Sequence, residues 1–261
     1  MMLDLPATIA GFGVGVIVGM TGIGGGALMT PLLLLLFGVA PQTAVGTDLF
    51  FACITKVFGV AVHGRRGTVD WQIVRRLALG SLPAATLSLL MLAYFRSAQV
   101  RSGLIVHALG VVLLLTAAGL VLRGRLHEVG RALRVRTPAE FKRAQPGLTV
   151  LAGAIVGCLV ALTSVGAGAL GTVMLVYLYP YRLNGGKLVG TDLAHAIPLT
   201  LAAGAGHLFM GNVDFGLLGN LLMGSIPGVL LGSMLSTRAP DGVTRFAIAG
   251  VLAIVALRLL L

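Results

Sequence analysis

Long apolar runs separated by short polar links recur along the whole chain. In the first half they run at about Ala7–Met20, Ala27–Phe37, Ala44–Val62, Ile73–Ala93 and Leu104–Val121. In the second half they run at about Leu148–Leu162, Ala169–Tyr179, Leu188–Phe209, Phe215–Leu235 and Thr244–Leu260. A helix needs ~20 apolar residues to cross a bilayer. The first two runs of each half are shorter than that, and a glycine cluster separates them. Ala7 to Phe37 is too long for one straight crossing at ~1.5 Å per residue. Each short pair is therefore two short crossings or a re-entrant hairpin. Either way the chain returns to the side it came from, and three ordinary crossings follow. An odd number of crossings per half inverts the second half relative to the first. The pattern predicts an all-α, polytopic transmembrane protein of two inverted repeats, each of about five apolar segments with broken or re-entrant short helices.

Residue identities repeat as well. Val45-Gly46-Thr47-Asp48-Leu49 returns as Val189-Gly190-Thr191-Asp192-Leu193, 144 positions later. At the same offset His63 meets His207, Val69-Asp70 meets Val213-Asp214, and Gly80-Ser81-x-Pro83 meets Gly224-Ser225-x-Pro227. Upstream, Thr21-x-x-Gly24-x-Gly26-Ala27-Leu28 meets Thr163-x-x-Gly166-x-Gly168-Ala169-Leu170 at offset 142. Internal repeats in a polytopic membrane protein point to a transporter, because two related halves can rock about a site between them. The expected division is 1–122 as membrane repeat 1, 123–146 as a basic cytoplasmic linker, and 147–261 as membrane repeat 2.

Composition agrees with a lipid environment. Hydrophobic residues make up 57% and charged residues only 10%, against roughly 25% charged in soluble domains. The net charge of +11 sits in the links between apolar segments. That is topological charge rather than a nucleic-acid surface. With residues 123–146 in the cytoplasm and the halves inverted, Arg65, Arg66, Arg75, Arg76, Arg182, Lys187, Arg238 and Arg245 also fall inside. Only Arg96, Arg101 and Arg258 fall outside. Parallel halves would put four more of these cations outside, so inversion is preferred. Met1–Pro6 carries Asp4 and no basic residue, so no cleavable leader is expected. Thr137-Pro138 reads as a helix start with proline at its first position, opening either a short interfacial helix on anionic lipid or a plain tether. Cys53 and Cys158 lie in apolar runs and form no metal or disulfide framework. No metal or cofactor is expected.

The chemistry concentrates at a few positions. Gly22-Ile23-Gly24-Gly25-Gly26 and Ser164-Val165-Gly166-Ala167-Gly168 each break a pair of short segments. A helix start after such a break offers unpaired N–H groups and a positive dipole end, a ready anion site. Thr21, Gly22, Gly24, Gly25, Gly26, Thr163, Ser164, Gly166, Ala167 and Gly168 are the expected substrate-binding residues, with Thr30 and Thr172 as further hydroxyls. Close helix packing on small residues is the competing reading. Asp48 and Asp192 either help cap their helices with Thr47 and Thr191 or face a cavity as proton carriers. His195, three residues after Asp192, shares its face and suggests a one-sided relay. Lys56 either snorkels to the interface or serves as counter-charge to an anion. His63 and His207 read as interface turns or as sites of proton exchange at a gate, and Trp71 and Phe215 as interfacial anchors.

These residues resemble the TauE/SafE family of membrane permeases. The resemblance rests on Thr21-Gly22-Ile23-Gly24-Gly25-Gly26-Ala27-Leu28-x-x-Pro31, Gly46-Thr47-Asp48-Leu49 and His63-x-x-x-Gly67-x-Val69-Asp70-Trp71, and covers roughly residues 7–260. It implies movement of a small sulfur-containing anion, sulfite or an organosulfonate, across the plasma membrane. The residues themselves give only a small anion and two half-helix starts. The expected partners are that anion and membrane lipid. The rival readings are an anion channel, an intramembrane enzyme, for which no catalytic constellation is found, and a receptor or assembly protein acting through the basic linker.

Overall fold

The computed structural model describes residues 4–21, 26–63, 68–95, 97–136, 138–183, 185–235 and 241–261. The helices are α1 (Leu5–Thr21), α2 (Gly26–Leu35), α3 (Pro41–His63), α4 (Trp71–Tyr94), α5 (Ala98–Arg136), α6 (Pro138–Thr163), α7 (Ala169–Leu178), α8 (Gly185–Phe209), α9 (Phe215–Leu235) and α10 (Asp241–Leu260). Each matches one of the apolar runs. Among the described residues there is no strand. The stretch 123–146 is the expected linker, in which the sequence has Pro138 opening a short helix or a plain tether. It is helical where described, because α5 runs on to Arg136 and α6 starts at Pro138. Its Ala, Leu, Arg and Glu residues are good helix formers, and its first proline sits at the position a helix start tolerates.

Equivalent helices swap partners between the halves. α1 packs most extensively on α9, and its counterpart α6 packs on α4. α3 crosses its own counterpart α8. Phe50 lies against Gly204, and Cys53 Sγ points at the carbonyl of Ile197, its own repeat mate, 3.8 Å away. Contacts therefore climb α3 while descending α8, so the two helices are antiparallel. A pseudo-two-fold axis passes near Cys53 and Ile197 and lies across the helices, which is the inverted arrangement the crossing count requires.

The repeated motifs explain the swap. A Cβ on Gly80 would come within 1.9 Å of the Val150 carbonyl oxygen, and one on Gly224 within 1.9 Å of that of Thr8. These two matched glycines let α4 and α6, and α9 and α1, touch backbone to backbone, as small residues do between membrane helices. In the second motif Gly46 faces the Asn212 carbonyl, where a Cβ would sit 2.0 Å away. Next to it, Thr47 Oγ1 accepts from the Asp214 N–H at 3.0 Å, and Thr191 Oγ1 accepts from the Asp70 N–H at 3.0 Å. Asp70 and Asp214 in turn cap α4 and α9 through Ile73 and Leu217 N–H. Each threonine thus ties its helix to the start of a helix in the other repeat. Replacing both Thr47 and Thr191 by valine should lower stability by about 1–3 kcal/mol per site, the penalty for orphaning a buried N–H, as read by thermal unfolding in detergent.

α4, α5, α6, α8 and α9 are long and apolar enough to cross a membrane. α2 and α7 have 10 residues each, about half a crossing. The α6–α7 pair is a helical hairpin that returns to the side it came from. The end of α7 comes back beside the start of α6, where Gln145 Nε2 donates to the Leu178 carbonyl and Thr149 Oγ1 shares a 2.8 Å hydrogen bond with Tyr179 Oη. The following turn is pinned to the other repeat by a bidentate pair, Arg182 Nε and Nη2 to Asp70 at 2.6 and 2.9 Å. Trp71 and Phe215 are exposed at the starts of α4 and α9, consistent with interfacial anchors.

Candidate functional site

Polar side chains buried inside an apolar bundle need partners or a purpose. Asp48 and Asp192 are each 2% exposed or less, and Lys56 is only 4% exposed. Both carboxylates lie seven residues into their helices rather than at the ends, so the capping reading does not hold. Neither does snorkelling for Lys56. Its ammonium lies within electrostatic reach of Asp192 and Asp48 and of Cys53, near the crossing of α3 and α8. With all three groups ionised, the cluster carries one net negative charge.

Each carboxylate also abuts the short helix of its own repeat. Thr30 Oγ1 of α2 donates to Asp48 Oδ2. Asp192 Oδ1 lies where a Cβ on Gly171 of α7 would be only 2.6 Å away, so this glycine makes room for the carboxylate. The two halves then diverge. Thr172, the counterpart of Thr30, donates to its own helix at the Ala169 carbonyl. His195 Nε2 pairs with Ser81 Oγ at 2.8 Å. The corresponding positions in the other half are Phe51 and Ser225, and Ser225 Oγ is buried without a hydrogen-bond partner. Thr200, the counterpart of Lys56, is buried and bonds back to the Ala196 carbonyl.

The expected binding residues fall into three groups. Gly22, Gly24 and Gly25 lie outside the described residues, as do Arg65, Arg66, Arg96 and Arg238. Thr21 is the last residue of α1 and Gly26 the first of α2. In the second break, Thr163 is spent locally. Its Oγ1 donates to the Leu159 carbonyl at 2.6 Å and accepts from the Val165 N–H at 3.1 Å. Ala167 is packed in the apolar core with Val45, Leu49 and Val160. Gly166 has φ of 124°, a conformation that favours glycine, and its carbonyl accepts from the Gly171 N–H at 3.0 Å. Gly168 is the N-cap of α7 with no side-chain cap.

Ser164 is different. It has φ of 60°, uncommon for a residue with a Cβ, and its buried Oγ has no hydrogen-bond partner. It stands beside the Asp48 carboxylate, whose Oδ1 is likewise buried and unpartnered. A strained serine and an open carboxylate oxygen thus face each other at the break, beside Lys56. That arrangement can donate a hydroxyl to an oxyanion, balance it with an ammonium and hold protons on two carboxylates.

A family model described as sulfite exporter TauE/SafE matches residues 7–259. The chain belongs to this family. It is therefore a multi-pass membrane transporter of the TauE/SafE type. A probable membrane transporter protein of Bacillus subtilis (strain 168), YjnA, is 44% identical over 260 residues, covering 99% of this chain and 100% of the relative. A second from the same organism, YdhB, is 29% identical over 212 residues, covering 79% and 80%. MJ0441 of Methanocaldococcus jannaschii, also a probable membrane transporter protein, is 27% identical over 210 residues, covering 78% and 72%. No solved structure matches. The bacterial and archaeal relatives place the chain in the plasma membrane.

Sequence reasoning left Ser81, Ser225 and Thr200 without a role. Ser81 and Ser225 had a signal, since both stand in the repeated Gly-Ser-x-Pro. Their value lies in what they face, and that depends on how α4 and α9 pack against α8 and α3. His207 is no interface turn. It is fully buried, with Nε2 2.9 Å from the Ala161 carbonyl oxygen.

Proposed function

We propose that the chain is a secondary transporter that moves a small anion, sulfite or an organosulfonate, coupled to protons. The observation that carries this reading is the buried Lys56, held within reach of Asp48 and Asp192 where the equivalent helices of two inverted repeats cross. Related halves that meet around a central polar site are the architecture of alternating access. The anion is drawn by Lys56 and by the Ser164 hydroxyl, with the α7 start beside it.

The charge balance argues for protons. An anion entering a cluster that already carries net negative charge in a low-dielectric interior is strongly opposed. Protonating one carboxylate makes the cluster neutral, and protonating the second leaves Lys56 as the net charge. Anion binding is then linked to proton uptake. Asp192, with His195 on the same face, is the proposed proton carrier on one side, and Asp48 on the other. Sulfur chemistry comes from the family, which is described as sulfite exporters.

The test is solid-supported-membrane current from proteoliposomes challenged with sulfite, sulfoacetate, thiosulfate, sulfate and a carboxylate control. A saturable current for one sulfur anion, altered by a pH gradient, is expected. Currents far above carrier rates with no pH coupling would favour an anion channel instead. Ser164→Ala should weaken apparent affinity for that anion by roughly tenfold, the loss of one hydrogen bond to a charged group. Because Ser164 also stands against the buried Asp48 carboxylate, thermal unfolding of the same preparation separates a loss of affinity from a loss of fold.

A further inference from the structure

A cleft lined by cationic and polar side chains lies away from the central site. α5, the start of α8 and the turn between α7 and α8 enclose a cleft of about 450 Å³. Arg123 and His127 line one wall, four residues apart and so on one face of α5. Gly185, the first residue of α8, lines another. Val176, Leu183 and Leu188 supply an apolar side. His127 Nδ1 is buried without a hydrogen-bond partner. A Cβ on Gly185 would meet nothing within 4 Å, so there is open space at the first residue of this 25-residue helix.

We propose that this cleft binds the phosphate of an anionic membrane lipid. A guanidinium, an imidazole and a helix start converge there, and each of them favours a phosphate. The position selects the source. Arg123 follows directly on the apolar run Leu104–Val121, which at ~1.5 Å per residue nearly spans the hydrocarbon core. Arg123 therefore stands at headgroup depth, where basic pockets between membrane helices take anionic headgroups. The apolar side of the cleft offers a surface for the first acyl carbons, which a free phosphate would not use. The bound lipid would touch the α7–α8 turn that carries Arg182, the residue paired with Asp70 of the other repeat.

Native mass spectrometry of the full chain in detergent, titrated with phosphatidylglycerol or phosphatidylcholine, tests this. Phosphatidylglycerol should bind at least tenfold more tightly. Arg123→Gln combined with His127→Gln should weaken it roughly tenfold, as expected when charge-assisted bonds to phosphate are lost. Gly185→Leu should do the same by filling the cleft without removing a charge, while Arg125→Gln should change binding less than twofold. Equal binding of the two lipids, or unchanged phosphatidylglycerol binding in both cleft variants, would overturn the site. Displacement of the lipid by millimolar inorganic phosphate would overturn the lipid assignment.

Discussion

Replacing Lys56 by methionine should abolish transport and also destabilise the protein. The ammonium is buried with two carboxylates in reach. Removing one partner of a buried ionic group and leaving the other commonly costs about 3–5 kcal/mol. The combined variant Lys56→Met, Asp192→Asn should recover most of that loss, since it returns the cluster from two net negative charges to the one it carries with all groups ionised. It should not recover transport, because the anion has lost its counter-charge. Flux per correctly folded molecule should fall at least about a hundredfold in both variants, which corresponds to ~3 kcal/mol of lost anion stabilisation. Thermal unfolding beside flux from the same preparations separates the two effects. Full transport by the double variant would remove Lys56 from the site. Failure of the double variant to regain stability would show that the charges are not coupled.

The second large effect concerns the interlocked helices. Gly80→Leu or Gly224→Leu should prevent assembly of the bundle. The first added carbon alone would meet a backbone carbonyl of the facing helix at 1.9 Å, and backbone cannot rotate away as a side chain can. α4 would be pushed off α6, or α9 off α1, and the pairings that tie the repeats together would be lost. An overpacked core position typically costs 1–3 kcal/mol, occasionally more. A clash with backbone along two of the most extensive helix contacts belongs at or above the top of that range. Gly13→Ala is the matched control, since nothing lies within 4 Å of its Cβ position. Size-exclusion profiles of the purified variants provide the readout, with a sharp peak for Gly13→Ala and aggregate for the other two. A monodisperse, wild-type-like Gly80→Leu protein would mean that α4 and α6 do not pack as described.

Much of this fold was legible in the chain. The ten apolar runs become the helices, because in lipid a helix must satisfy its own backbone and few alternatives exist. Inversion followed from the crossing count and the charges, and the antiparallel contact of α3 with α8 agrees with it. The repeated Val-Gly-Thr-Asp-Leu was visible, but its division of labour was not. The glycine and threonine serve the opposite repeat, while the aspartate serves the interior, and only the partner swap separates those tasks. Lys56 read equally well as a snorkelling residue, because its depth depends on what α8 places around it. The second glycine break suggested more free donors than its loop leaves. Thr163 and the Gly171 amide are consumed in building the second loop, a local bonding pattern that spacing does not encode. The run 123–146 was polar enough to suggest a linker, and where described its helix-forming residues extend α5 and α6.

The central claim is that a buried cation and two carboxylates form a proton-linked anion site between inverted repeats. The most direct measurement is uptake of labelled sulfoacetate and sulfite into proteoliposomes under an imposed pH gradient, with the membrane potential clamped at zero and protein-free liposomes as background. The account predicts accumulation of one of these anions above its equilibrium level on the alkaline side. That accumulation should collapse with a protonophore and be absent in Lys56→Met. Equilibration without accumulation, indifferent to the pH gradient and unchanged by Lys56→Met, would contradict it.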